Sequence, residues 1–235
     1  MIALTSQASA FVLPAQRPVT LSVADKEKAV VHTAVSILQE DLRRALSAVV
    51  KHTSSKAQII VGTWRGEGRQ LLAATGLDFS WLDDQAQAFI LQVTPDGRLV
   101  IAGSDVYGTA YGVMELSRQL GVSPWEWWAD AEPEARSEFC LADDYVTRQA
   151  PGVAFRGIFI NDEDWGLMPW SATNYEPASR GQVGPKTTQR IFELLLRLRA
   201  NLYWPPMHEC TRPFFLTEGC AELAAKYGIF IGTSH

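Results

Sequence analysis

Phe155-Arg-Gly-Ile-Phe-Ile-Asn-Asp-Glu-Asp-Trp165 sets an apolar run directly against four polar residues and an indole. The apolar part, extended back to Val153, has the length and composition of a β-strand ending at Ile160. Side chains just past the C-terminal end of a parallel strand are held by the sheet, and β/α barrels build their active sites there. The cluster is therefore a site hypothesis and, at the same time, a marker of where one domain gives way to another.

Downstream of this strand the pattern repeats. From 162 to 184 nothing is periodic, and Trp165, Trp170 and Tyr175 interrupt the polar residues. A connection of that length in a compact domain is commonly functional, and its aromatic residues favour an ordered loop facing a ligand. The stretch Gly181 to Thr187 is loosely similar to a phosphate loop, yet Pro185 stands where the second glycine belongs. Pro185 is expected instead as the first residue of a helix. On that helix Ile191, Leu194, Leu195 and Leu198 face inward, with Glu193 and Arg197 paired outside. Ala200 to Trp204 predicts a second strand, Leu216 to Tyr227 a second helix, and Gly228 to Gly232 a third strand. Successive βαβ units wind into a parallel sheet. Residues 151–235 fall short of the roughly 200–250 that a closed eight-stranded barrel takes. Either the chain is a fragment of a longer protein, or it is a small sheet that needs a partner at its open edge.

Residues 1–150 predict a separate mixed α/β domain. Pro18 to Val23 is a short strand, and Asp25 is placed to cap a helix with the apolar stripe Val31, Val35, Leu38, Leu42, Ala45 and Val49. Ala57 to Thr63 is a fully apolar strand followed by glycines at 62, 66 and 68, which lack the Gly-Lys-Ser/Thr of a phosphate loop and are turn residues. Ala88 to Thr94 and Arg98 to Ala102 flank Pro95-Asp96-Gly97, a hairpin signal. Ser104 is expected to cap the next helix, where Gly108 and Gly112 stand one turn apart. Each costs about 1 kcal/mol of helix propensity, so a close approach to a neighbouring element is expected there. Trp125, Trp127 and Trp128 put three indoles in four residues, a composition that suits a plug at a domain interface more than a ligand platform. Residues 131–150 are expected to connect the two domains.

Net charge is −5 with both signs interspersed and no basic run, which argues against a nucleic-acid or anionic-membrane partner. No window approaches the unbroken apolar stretch of a membrane helix. Cys140, Cys210 and Cys220 match neither a disulfide framework nor a zinc pattern, so free or buried thiols are expected and no metal centre. The N-terminus lacks the charged and apolar regions of a signal peptide, which taken literally means a cytoplasmic protein; a missing leader would make it periplasmic or secreted.

Asn161, Asp162, Glu163 and Asp164 offer several acceptors within one turn of chain. Paired carboxylates suit glycosidic hydrolysis, and equally a divalent cation or plain solvation. The ends of strands two and three add Trp204, His208 and His235 to the same face. His208-Glu209 is not a zincin motif, because position 212 is Arg. A packed or capping role for His208 stays open.

Several motifs in order resemble the glycoside hydrolase family 115 xylan α-1,2-glucuronidases. They are Ala-Gly-Ser-Asp (102–105), Gly-Thr-Ala-Tyr-Gly (108–112), Gly-Val-Ser-Pro-Trp-Glu-Trp-Trp-Ala-Asp (121–130), Phe-Arg-Gly-Ile-Phe-Ile-Asn-Asp-Glu-Asp-Trp-Gly (155–166), Gly-Pro-Lys-Thr (184–187), Leu-Arg-Ala-Asn (198–201) and Trp-Pro-Pro-Met-His (204–208). The first hundred residues resemble the family's N-terminal domain in architecture. The resemblance implies an N-terminal mixed α/β sandwich domain followed by the first three strands of a (β/α)8 TIM barrel, incomplete in this chain. It implies inverting removal of (4-O-methyl-)glucuronic acid from xylan or glucuronoxylo-oligosaccharides, with no organic cofactor, and leaves a homo-oligomer open for the full-length protein. Asp162 and Glu163 carry over as pocket acids and Asn161, Trp165, Trp204 and His208 as substrate contacts, to which the strand-end reading adds His235. Arg156, Lys186 or Arg212 could meet the uronate. The isolated stretch is expected to be inactive; a non-catalytic carbohydrate-binding or structural fragment is the rival expectation.

Overall fold

The computed structural model describes residues 10–161, 165–206, 208 and 210–233. The chain divides into two compact units, Met1–Gly152 and Val153–His235. Both are α/β. Among the described residues no helix is long and apolar enough to cross a membrane.

In the first unit the elements are β1 (Phe11–Pro14), β2 (Val19–Val23), α1 (Ala29–Leu46), β3 (Val50–His52), β4 (Ile59–Thr63), α2 (Arg69–Ala73), β5 (Phe89–Val93), β6 (Leu99–Gly103), α3 (Val106–Gln119), β7 (Glu138–Leu141) and β8 (Val146–Gln149). A six-stranded sheet runs in the order β3-β2-β4-β6-β5-β8. Its first four strands are parallel, and β5 is antiparallel to both of its neighbours. β4 is apolar and buried along its whole length because both faces of the sheet are covered. Ile60, Ile90, Val100 and Ala102 meet Leu72, Phe79 and Leu82 on one face. On the other, α3 lies against Phe89, Leu91 and Ile101.

The glycines of α3 permit that contact. A Cβ on Gly108 would overlap the Ala88 carbonyl, and one on Gly112 would stand 2.8 Å from Ile101 Cγ2. The hairpin closes as its sequence predicts, with the Thr94 amide donating to the Arg98 carbonyl at 2.8 Å and Gly97 in the left-handed region. At the C-terminal end of β4, buried Glu27 accepts the Thr63 amide and hydroxyl, both at 2.8 Å.

Four expectations for this unit are corrected. Asp25 does not cap α1, which starts at Ala29 after a turn and has Lys28 at its N-cap with no side-chain cap bond. The cap of α3 is Asp105, which accepts the Gly108 amide at 2.9 Å, and not Ser104. Val49 is exposed, because α1 stops at Leu46 with Ser47 in the left-handed region. The stretch 131–150 is more than a connector: β7 pairs antiparallel with β1, and β8 extends the main sheet beside β5. The tryptophan-rich run before it is tied to α1 through Arg44, which pairs with Glu126 at 2.6 Å and Glu132 at 2.5 Å. Trp127 and Trp128 meet edge to face.

The second unit contains β9 (Gly157–Phe159), α4 (Leu167–Trp170), α5 (Pro185–Arg197), β10 (Leu202–Trp204), α6 (Cys220–Tyr227) and β11 (Phe230–Ile231). Its three strands form a parallel sheet in the order β11-β10-β9. β9 and β11 are shorter than the sequence expectation at both ends, whereas β10 starts later but ends at Trp204 as expected. The start of the sheet is held by the buried Asn201, whose side chain accepts the Arg156 amide at 3.0 Å and donates to the Ala154 carbonyl at 2.9 Å. Strand alternation sorts the faces. Tyr203 packs under the helices against Phe192 and Phe214, and Phe192 also meets Tyr227. Trp204 and Phe159, in register with each other, project to the opposite face and remain partly exposed. The Glu193 and Arg197 pair forms at 2.9 Å, but it is largely buried and not on the outside.

Candidate functional site

Because β9, β10 and β11 are parallel, the chain leaves all three at one edge of the sheet. Asn161 follows β9 there and is exposed. Trp204 ends β10, and its carbonyl accepts the Ile160 amide at 3.0 Å, so the pairing runs one residue past Phe159. The Phe159 and Trp204 rings meet edge to face with centroids 5.8 Å apart. Trp165 is 91% exposed. His208 is exposed, its Nδ1 lies 3.0 Å from Cys210 Sγ, and its carbonyl accepts the Thr211 amide. Asp162, Glu163 and His235 lie outside the described residues.

The long connection after β9 is built from short helical turns: α4, a π-turn over Ser171–Tyr175 and a 3-10 turn over Pro177–Ser179. Trp170 and Tyr175 stack with centroids 5.8 Å apart. Its anchor is a residue that sequence reading missed, Glu176. This buried carboxylate accepts the Thr187 amide at 2.8 Å, the Lys186 amide at 3.1 Å and the hydroxyls of Ser171 and Ser179 at 3.3 and 3.4 Å. The amides are the unpaired donors at the start of α5, where the helix dipole also favours a negative charge. Gly184 is required by the same contact, since a Cβ there would stand 2.5 Å from the Glu176 carboxyl carbon. The Gly-Pro-Lys-Thr motif is thus the receiving end of a helix cap supplied from upstream. A fixed glycine before a helix-starting proline was the available signal; its partner was not visible.

The three basic residues considered for a uronate separate clearly. Arg156 precedes β9 and lies at the N-terminal edge of the sheet, away from Asn161. Its guanidinium donates to the carbonyls of Arg199 at 2.8 Å and Val153 at 2.6 Å, so it is a structural clamp. Lys186 stands in the first turn of α5, on the side where a βα connection starts its helix. Arg212 follows β10, is exposed, and donates its amide to the Gly181 carbonyl at 3.1 Å. Among the described residues no group of three or more His, Cys, Asp or Glu is placed to hold a metal ion.

Residues 148–235 match the model of glycosyl hydrolase family 115. Among solved structures, a family 115 4-O-methyl-alpha-glucuronidase with specificity for decorated arabinogalactans is 54% identical with a TM-score of 0.92; the match covers 96% of this chain and 30% of that one. The chain thus spans under a third of that protein's length. The protein CpGH84D gives a TM-score of 0.61 at 9% identity, covering 99% of this chain and 37% of that one. A beta-hexosaminidase of Streptomyces plicatus gives 0.59 at 16% identity, covering 97% and 44%. These two likenesses carry the fold alone. No curated protein matches the sequence.

Proposed function

The chain belongs to glycoside hydrolase family 115, and on that premise we propose that it is part of an inverting α-glucuronidase that removes (4-O-methyl-)glucuronic acid side chains from a plant polysaccharide. The observation that carries the reading is the 54% identity, across nearly the whole chain, with a 4-O-methyl-alpha-glucuronidase. Residues 1–150 form the N-terminal α/β domain of the proposed enzyme. Residues 151–235 supply the first three strands of its (β/α)8 barrel, with the pocket at the edge where Asn161 and Trp204 emerge.

In this reading Asp162 and Glu163 are pocket acids that orient sugar hydroxyls or assist catalysis. Trp165 and Trp204 are apolar walls, and Asn161, His208 and His235 are polar contacts. Inversion needs an acid and a base roughly 6.5 to 9.5 Å apart, with a water between the base and the anomeric carbon. Asp162 and Glu163 are not proposed as that pair together, because the strand alternation expected from the sequence sends neighbours to opposite sides, and a partner is assigned to another part of the protein. Of the three basic residues considered, Arg212 and Lys186 are the ones this reading offers to the uronate carboxylate.

The motif resemblance points to xylan as the polysaccharide. Specificity of the 54% identical protein for decorated arabinogalactans supports a second substrate, glucuronic acid on an arabinogalactan. The test is release of uronic acid by the protein as its gene encodes it, from glucuronoxylan oligosaccharides and from decorated arabinogalactan, with the product anomer followed by NMR. The β-anomer is expected first from at least one of them; no release from either would sink the proposal. Asp162→Asn or Glu163→Gln retaining activity within about threefold, roughly 0.65 kcal/mol of barrier, would remove that residue from the site.

A further inference from the structure

We infer that Gly232 is a positioning residue for Trp204, leaving the space across the end of β11 in which its indole stands as one wall of the sugar pocket; this rests on the glucuronidase reading above. The register of β10 and β11 pairs Leu202 with Phe230 and Tyr203 with Ile231, and the Gly232 amide donates to the Tyr203 carbonyl at 2.9 Å. Continuing that register brings Gly232 opposite Trp204. A Cβ on Gly232 would overlap the indole at Nε1 and Cδ1. The indole therefore lies across the end of β11, in the space that any other residue would fill.

The backbone does not demand glycine at this position. Gly232 is absent from the residues with positive φ, so its φ does not call for glycine. What excludes a side chain is the indole itself. The Phe159 ring, perpendicular to the indole, supports it from the neighbouring strand, and 39% of Trp204 stays exposed on the face opposite the helices. A flat apolar ring with an N–H at its rim, held on two sides and open on the third, fits the apolar face of a pyranose. Such a wall binds without reacting, so its displacement changes KM and leaves kcat.

The experiment uses the protein as its gene encodes it, with glucuronic-acid-decorated oligosaccharides from xylan and from arabinogalactan. Gly232→Ala is expected to raise KM at least tenfold with kcat within threefold. In a Trp204→Ala background the same substitution is expected to change KM less than twofold, because nothing remains to displace. An unchanged KM in the first background, or an equal loss in both, would overturn the inference. Fluorotryptophan NMR gives a readout independent of turnover: the Trp204 resonance, assigned by its loss in Trp204→Ala, is expected to shift in Gly232→Ala. If wild type releases no uronic acid, the function reading fails by itself, and an unshifted resonance would separately refute the positioning role. Should Gly232→Ala not fold, the double variant is expected to fold, and its failure to do so counts against the inference.

Discussion

The carboxylate of Glu176 accepts the amide of Thr187 at 2.8 Å and caps α5 from a loop that begins at the end of β9. The bond joins two stretches of chain that share no secondary structure, and it buries a charge that four donors surround. Glu176→Ala would leave the Lys186 and Thr187 amides without this acceptor inside the protein. Hydrogen bonds to a charged group contribute about 1.5–3 kcal/mol, so a loss of that order is expected in urea unfolding. Glu176→Gln should lose less, because one amide oxygen still accepts. Equal stability of Glu176→Ala and wild type would show that the carboxylate is dispensable.

Gly108 gives a prediction opposite to helix propensity. Alanine inside α3 would gain about 1 kcal/mol from propensity alone. Its Cβ has no room against the Ala88 carbonyl, however, and that carbonyl cannot withdraw without breaking the bond it accepts from the Ser104 amide at 2.8 Å. A net destabilisation of about 2 kcal/mol or more is expected, in the range of overpacked sites. A stabilised Gly108→Ala protein in thermal melts would contradict the packing described for α3.

Glu27 and Thr63 make a third case. Glu27→Ala removes the acceptor of two bonds at the buried end of β4, and a loss of about 2 kcal/mol or more is expected. Faster exchange of the Thr63 amide with solvent deuterium, compared with neighbouring β4 amides, would be the local signature.

Tyr227 ties stability to high pH. Burial, with a smaller push from the Glu193 carboxylate, raises its phenol to about 12. In the unfolded chain the group ionises near its ordinary value of 10.0. Between those values the unfolded state has lost the proton and the folded state has kept it. The contribution to stability is therefore complete below pH 10 and is lost as pH rises through the folded value. Tyr227→Phe should flatten the decline of unfolding free energy in that window; an unchanged slope would rule the linkage out.

The legible parts of the fold are those where neighbours in sequence are also neighbours in space. The hairpin at Asp96-Gly97 declares itself through turn chemistry, and the α1 stripe through its period. β3, β7 and β8 escape a sequence reading because each has four residues or fewer and little or only alternate burial. In β7 only Phe139 and Leu141 turn inward, between the exposed Glu138 and Cys140. Cap positions slipped by a residue at α3 because Ser104 and Asp105 both have capping side chains. For the candidate site, the placement of Trp204 at a strand end follows from the alternation of strand and helix. The partners of Gly232 and Glu176 do not. Gly232 meets Trp204 through the register between strands, and Glu176 meets Thr187 across a loop without periodicity.

The pairing of β1 with β7 also sets a timetable for synthesis. Phe11 stands opposite Leu141, so β1 waits for nearly the whole unit before it meets this partner. β5 likewise keeps an unpaired edge until Val146–Gln149 has emerged. While the ribosome adds the intervening residues, the nascent chain carries two open strand edges, one of them beside the most apolar strands of the unit. Slowing elongation just before residue 138 should prolong that exposure and raise the demand for chaperones, whereas slowing it after residue 149 should leave this unit free to close.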